Sequence, residues 1–382
     1  MRPGSTCSSR SGLARRASQV LARAGRAART LLLAGGRRRR AIGYVGRVGH
    51  SNLGDQAMFR AFRCALPTAC LLPSMGVRPI EHRVWGLACR RTMCACILGG
   101  GTLVFGDNYY EYLTRALDAG VPCFVLGTGV RSPEYWQRFR PEQFHSPALW
   151  KQALDECRFV GVRGPLSQNI LADVGFARAT VVGDPAFMLA PDAPPQPATQ
   201  RILGVNWGTS LGYVWGGDES GPLERLTEAL SMLVGDGWRL RLYCVWPEDR
   251  RAIAELKAGL PPGTRIEVEE HFEDPVAYVR SVSKCRVFVG VKLHSVALAL
   301  NAGVPAIMLE YRPKCGDLMA SLGLGHHVTR IDRIDPETLR LELERLAERS
   351  AGFAGAIRPA LEGLKKRLLA AIMEHLPPGG TF

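Results

Sequence analysis

Residues 290–314 read GVKLHSVALALNAGVPAIMLEYRPK, and this apolar run decides the fold. RVFVGV (286–291) is a β-branched run stopping near glycine, HSVALALNAG (294–303) has the spacing and closing glycine of a short buried helix, and VPAIMLEY (304–311) is a second apolar run. Strands that are apolar throughout, rather than at alternate positions, belong to parallel sheets covered on both faces, so the stretch is a βαβ unit. Lys292 and His294 leave the first strand where the helix begins, and Lys314 leaves the second. Three basic groups thus fall at one end of one sheet. Partly desolvated like charges repel unless an anion sits among them. One such histidine would be an ordinary core residue, but three basic groups at neighbouring strand ends mark a candidate anion site.

The same alternation runs outward in both directions. AIGYVG (41–46), ACILGGG (95–101), VPCFVLGTGV (121–130), RFVGVRG (158–164) and ATVVGD (179–184) read as strands ending near glycine, with helical stretches such as DQAMFRAFRCAL and GPLSQNILADVG between them. In LAPDAPPQPATQR (189–201), Pro191, Pro194, Pro195 and Pro197 exclude a helix or central strand, so this is a linker. Beyond it RILGVNWG, RLRLYCVW and TRIEVEE continue the pattern with helices near 223–235, 248–259 and 274–283, and the chain ends in two Leu/Arg/Glu-rich helices from about Pro336. The expected architecture is α/β, two Rossmann-like domains at 41–190 and 201–382 with a cleft between them, after a basic leader at 1–40. A chain of 382 residues fits that division, since one core rarely grows so large.

Composition narrows the function. The net charge is +14, but residues 1–40 hold eleven arginines and no acidic residue, so residues 41–382 carry only +3. A nucleic-acid partner is therefore not implied by the body of the chain. The leader is read as a disordered tail or a stretch upstream of the working start; a basic amphipathic helix touching anionic lipid, or a transit peptide, are the other readings. Peripheral membrane contact thus stays open, while no apolar run approaches the roughly 20 residues of a membrane span. Eleven scattered cysteines, with only Cys94 and Cys96 close together, form neither a disulfide framework nor a zinc site, which points to a reducing cytoplasm. No metal or cofactor is expected, and no oligomeric state is legible.

Four further stretches carry candidate chemistry. GHSNLGDQA (49–57) follows a strand and opens a helix, where Asn52 and Asp55 either cap the first turn or meet a ligand. It lacks the glycine spacing of a dinucleotide site. ILGGGTLV (97–104) places Gly99, Gly100 and Gly101 at a buried strand end, as a wall against which a ligand or backbone could lie. Arg163 in VGVRGPLSQNIL (160–171) ends a strand with a planar fork suited to carboxylate or phosphate, and Asp184 in VVGDPAFML (181–189) stands at another strand end or simply in a turn.

Taken in order, these five stretches resemble the polysaccharide pyruvyl transferase family. GHSNLGDQA is similar to its N-L-G-D-E-A opening, ILGGGTLV to its G-G-G strand end, VGVRGPLSQNIL to its V-R-D-x-x-S segment, VVGDPAFML to its G-D-P-A stretch, and the opening segment to its R-L-H … G-x-P … Y-x-P-K signature. The resemblance implies a GT-B architecture, with an amino-terminal acceptor side and a carboxyl-terminal donor side. It also implies transfer of pyruvate from phosphoenolpyruvate to two hydroxyls of a sugar or lipid-linked saccharide as a ketal. It implies that Arg163, His294 and Lys314 contact or act on phosphoenolpyruvate. The chain departs from the pattern at Lys292 (Arg in the family), Gly164 (Asp) and Gln56 (Glu). The residues agree with this chemistry: Arg163, Lys292 and Lys314 can clamp two acidic groups, and His294 can supply or hold a proton near neutral pH. Asp55 and Asp184 are the candidates for a base or a sugar ligand. The alternatives are a GT-B glycosyltransferase using a nucleotide sugar, for which Glu310 is the only local ribose ligand, and a glycan-binding relative without catalysis.

Overall fold

In the N-terminal half, β1 (Ala41–Val45), β2 (Cys70–Pro73), β3 (Met93–Leu98), β5 (Cys123–Val130), β6 (Phe159–Val162) and β7 (Thr180–Val181) lie in the order β2-β1-β3-β5-β6-β7, with β4 (Gly101–Val104) also paired to β5. In the C-terminal half, β8 (Ile202–Asn206), β9 (Arg239–Cys244), β10 (Ile266–Glu270), β11 (Val287–Gly290), β12 (Ala306–Glu310) and β13 (Val328–Arg330) lie in the order β10-β9-β8-β11-β12-β13. The computed structural model describes residues 41–74, 79–191 and 198–376; the basic leader and most of the proline-rich linker lie outside them. All strand pairings within the two sheets are parallel.

The strands read as continuous apolar runs are buried as such: all eight residues of β5 and all four of β11 are buried. Helices cover both faces, starting at side chains that bond the first turn, such as Asn52, Ser146, Asp274 and Asp335, or at a proline whose missing N–H costs nothing there. The expected strand ATVVGD keeps only two paired residues, because Gly183 turns the chain at φ 87°. The short strands β2, β4 and β13, and the helices Pro79–Arg91 and Asp107–Asp118, have no counterpart in the sequence reading.

Two features position the site. First, parallel pairing points every strand's carboxyl end the same way within a sheet, and the two sets of ends face each other: the Leu53 amide bonds the Val245 carbonyl (3.1 Å), and the Asn301 side-chain amide bonds the Ala186 carbonyl (2.7 Å). Second, the last helix, Ser350–His375, returns to the first sheet, where Leu368, Ala371 and Ile372 are buried with Ile42, Tyr44, Phe124 and Leu126. The chain's end therefore fastens the C-terminal half onto the N-terminal one.

Candidate functional site

The facing strand ends enclose a cavity of about 370 Å³. Asn52, Asp55, Gly100, Gly101 and Arg163 reach it from the first half, and Lys292, His294 and Lys314 from the second. Gly99 and Asp184 are not on its wall. The Gly99 Cα faces the Tyr44 ring, which an added Cβ would strike at 2.2 Å. Gly100 likewise makes room for Met58, and Gly101 takes φ 109°, so the three glycines answer first to protein neighbours.

Asn52 settles the alternatives at the first helix. Its Oδ1 accepts from the Gly54 and Asp55 amides (3.1 and 3.2 Å), so it is the cap, and Asp55 is left to face the cavity. Burial raises the Asp55 pKa against the opposing fields of Arg47, His294 and Lys314, and the Arg47 guanidinium lies 3.8 Å away. Gly54 is there for a different reason: a Cβ at this position would meet the His294 imidazole Nδ1 at 2.1 Å, so only glycine lets the ring lie against the helix start.

His294 is 16% exposed, and its Nε2 stands 3.5 Å from Oδ1 of the fully buried Asp184. Arg163, also fully buried, approaches the other carboxylate oxygen at 3.7 Å and donates through Nη2 to the Gly101 carbonyl and to Thr102 Oγ1 (3.0 Å). Its Nε and Nη1 make no hydrogen bond among the described residues. Burial alone would raise the Asp184 pKa, but His294, Arg163 and the Ala186 amide outweigh it and hold the carboxylate below its ordinary range. Asp184 is thus an ionised anchor behind two cavity residues. Lys314 lines the same cavity with its ammonium 4.9 Å from the centre of the Tyr311 ring; burial, helped by the fields of Arg312 and Arg163, lowers its pKa to about 8.

Lys292 is differently placed from the other basic groups. Its ammonium pairs with the buried Asp249 at 3.1 Å, donates to the Thr209 carbonyl and lies 5.1 Å from the Trp246 ring centre. Burial raises the Asp249 pKa to about 6 in spite of this partner. Glu310 is occupied elsewhere, accepting from the Gly316 amide at 2.9 Å, and does not line the cavity.

The two halves are also tied beside Arg163. The helix Pro165–Asp173 begins at Gly164, which offers no side chain to its first turn. Asp317, from the other half, supplies the missing carboxylate: its oxygens accept from the Ser167 amide (3.1 Å) and hydroxyl (2.6 Å). A Cβ on Gly164 would lie 2.2 Å from the Asp317 carbonyl, so the family's aspartate could not stand here together with this contact.

Several lining residues escaped the sequence reading: Arg47, Arg131, Arg312, Trp136, Tyr213 and Trp246. Three of them carry a signal that was available. Arg47, Arg131 and Arg312 each follow the end of a strand (Val45, Val130 and Glu310) by one or two residues, the position that singled out Arg163.

The family model described as polysaccharide pyruvyl transferase matches residues 52–313. No curated protein matches the chain. Among solved structures, the chain is similar to S. aureus MnaA in complex with UDP (TM-score 0.59, 11% identity, 88% of this chain and 97% of that one). It is similar to the UDP-GlcNAc 2-epimerase of Methanocaldococcus jannaschii (0.56, 12%, 88% and 99%) and to that of Rickettsia bellii (0.54, 11%, 88% and 96%). Such identities show a shared fold, the GT-B architecture of two facing parallel-sheet domains. The match over residues 52–313 extends over both halves of the cavity, and the chain belongs to the polysaccharide pyruvyl transferase family, a family of transferases.

Proposed function

We propose that the cavity takes phosphoenolpyruvate and moves its pyruvyl group onto two hydroxyls of a saccharide precursor as a ketal. The observation that carries this reading is the meeting of Arg163, His294 and Lys314, from separate strand ends of both halves, around one cavity. A donor with a carboxylate and a phosphate needs such a set: a guanidinium fork, an ammonium and a group able to hold a proton. Lys292, neutralised by Asp249, contributes less to the clamp than its charge suggests.

In this scheme one acceptor hydroxyl adds to C2 of phosphoenolpyruvate while C3 receives a proton, giving a tetrahedral phosphoketal. The second hydroxyl then replaces phosphate at C2, and the products are the cyclic ketal and inorganic phosphate. His294, oriented by Asp184, delivers the proton to C3 or to the departing phosphate. Asp55, whose raised pKa suits proton transfer, takes the hydroxyl proton. Arg163 and Lys314 stabilise the charge that develops on carboxylate and phosphate. The acceptor is a sugar or lipid-linked saccharide, and the setting is the cytoplasm. Among the described residues no helix is long and apolar enough to cross a membrane.

The test is a thermal-shift comparison of phosphoenolpyruvate with several nucleotide sugars, followed by phosphate release from wild type and His294→Ala. Preferential stabilisation by phosphoenolpyruvate and loss of release in the variant are expected. Preferential stabilisation by a nucleotide sugar would replace this reading with glycosyl transfer. Donor binding without any wild-type product would make the protein a binding relative.

A further inference from the structure

The cavity holds more positive charge than the donor clamp uses. Arg47 is paired with Asp55, Lys292 with Asp249, and Arg163 and His294 share Asp184. What remains besides Lys314 is a second group of cations that adjoins it, since Lys314 and Arg312 lie 4.9 and 5.2 Å from the centre of the same Tyr311 ring. The Arg131 and Arg312 guanidinium carbons lie over the same Trp136 ring, at 4.2 and 5.6 Å from its centre. Arg140 lies over the neighbouring Tyr213 ring at 3.7 Å.

These side chains are held in place by carbonyls rather than carboxylates. Arg131 donates to the carbonyls of Gln143 and Thr102 (the latter at 3.5 Å), and Arg312 Nε donates to the Tyr213 carbonyl at 2.9 Å. Among the described residues neither has an ion pair, whereas Arg140 pairs with Glu142 at 2.8 Å. Each guanidinium has five N–H donors; the bonds to Gln143 and Thr102 use two on Arg131, and Arg312 bonds the Tyr135 hydroxyl as well as the Tyr213 carbonyl, which leaves donors spare on both. Asp107, whose field reaches Arg131, is itself bonded to His145 at 2.7 Å. Burial, with the fields of Arg312 and Arg140, loosens the Arg131 proton, as expected for a cation kept from water without a counter-ion. Arg131 is only 8% exposed and lines the cavity.

We infer that Arg131 and Arg312, with Arg140 at the rim, form a second oxyanion subsite, and that the acceptor is an acidic saccharide whose own phosphate or carboxylate is read there. The inference rests on the saccharide-modifying reading of the cavity. Cationic groups already cover the Trp136 ring, so the ring carries the arginines instead of stacking on a sugar. The forked donors suit a planar carboxylate or a phosphate, and the subsite selects acceptors that present one beside the reacting hydroxyls.

The test separates the two subsites by competition. Inorganic pyrophosphate is titrated calorimetrically into protein saturated with phosphoenolpyruvate. A further binding event is expected, weakened about tenfold or more in Arg131→Gln and in Arg312→Gln, as for loss of a charge-assisted contact. Arg312→Lys, which keeps the charge and loses the fork, should fall between. Glucose 1-phosphate and glucuronic acid, against methyl glucoside, then tell whether phosphate or carboxylate is the anion. Pyrophosphate that merely displaces phosphoenolpyruvate, or a second event untouched by both glutamine variants, overturns the subsite. Should phosphoenolpyruvate itself fail to bind, pyrophosphate binding that depends on Arg131 and Arg312 but not on Arg163 would uphold the subsite while removing the donor assignment. Circular dichroism of each variant guards against misfolding, and Arg140→Gln, at the rim, repeats the test where a folding defect is least expected.

Discussion

Removing the Asp317 carboxylate should loosen the joint between the two halves, and the structure sets the size of the effect. In Asp317→Ala the Ser167 amide and hydroxyl, held at 3.1 and 2.6 Å and buried, lose their acceptor. Two hydrogen bonds to a charged acceptor are worth about 1.5–3 kcal/mol each. Against this, the carboxylate carries a burial cost, visible in a pKa raised by desolvation in spite of Arg163 and the Ser167 bonds. The sign follows: just above pH 3.8 the folded protein still holds a proton that the unfolded chain has released, so ionised Asp317 takes stability away as pH rises through that window. The net loss on truncation is therefore about 2–4 kcal/mol, which in a chain of this size lowers Tm by about 2–5 °C. Asp317→Asn is the informative partner. It keeps an oxygen for the Ser167 amide and sheds the buried charge, so it should stay within about 1 kcal/mol of wild type. Differential scanning fluorimetry of the two variants decides the matter. A loss in Asp317→Asn as large as in Asp317→Ala would mean that charge, and not acceptor geometry, joins the halves; an unchanged Asp317→Ala would mean that the contact does not join them at all.

Other outcomes follow from the same geometry. Gly54→Ala forces the His294 ring away from a Cβ at 2.1 Å, so turnover should fall at least tenfold for a stability cost of about 1–3 kcal/mol, read from steady-state rates beside a melting curve. Lys314 is charged below its pKa of about 8, so the KM for phosphoenolpyruvate should climb above that pH by up to about tenfold per unit, and Lys314→Arg should flatten the climb. Its effect on stability runs the other way: between about 8 and 10.5 the unfolded chain keeps a proton that the folded lysine has given up, so its penalty eases as pH rises, which urea titrations across that range would register. Asn52→Ala removes the cap of the helix Leu53–Ala65 and should cost about 1 kcal/mol, measured as a lower urea midpoint.

How far the sequence could be read depended on whether the information was local. Parallel strands announce themselves because both faces are covered, so β5 and β11 stand out from their own residues, and the helix between β11 and β12 follows from its spacing and Gly303. The four residues of β2, ending in Pro73, pair on one side only, with β1, and give too short a run to distinguish from a loop. For the site, strand-end position found Arg163, His294 and Lys314, and applied evenly it would have found Arg47, Arg131 and Arg312 as well. What it could not supply is pairing. Lys292 looks like a free cation until Asp249, some forty residues earlier in the chain, arrives beneath it, and Asp184 looks like a turn residue until Arg163 and His294 close on either side. Gly164 is the sharpest case: as a departure from the family pattern it reads as a lost carboxylate, yet the fold returns one from Asp317 to the same helix start. A missing side chain at one position of the sequence is therefore weak evidence for a missing interaction wherever two halves of a chain meet, because the partner can be supplied from the opposite half without leaving any local trace.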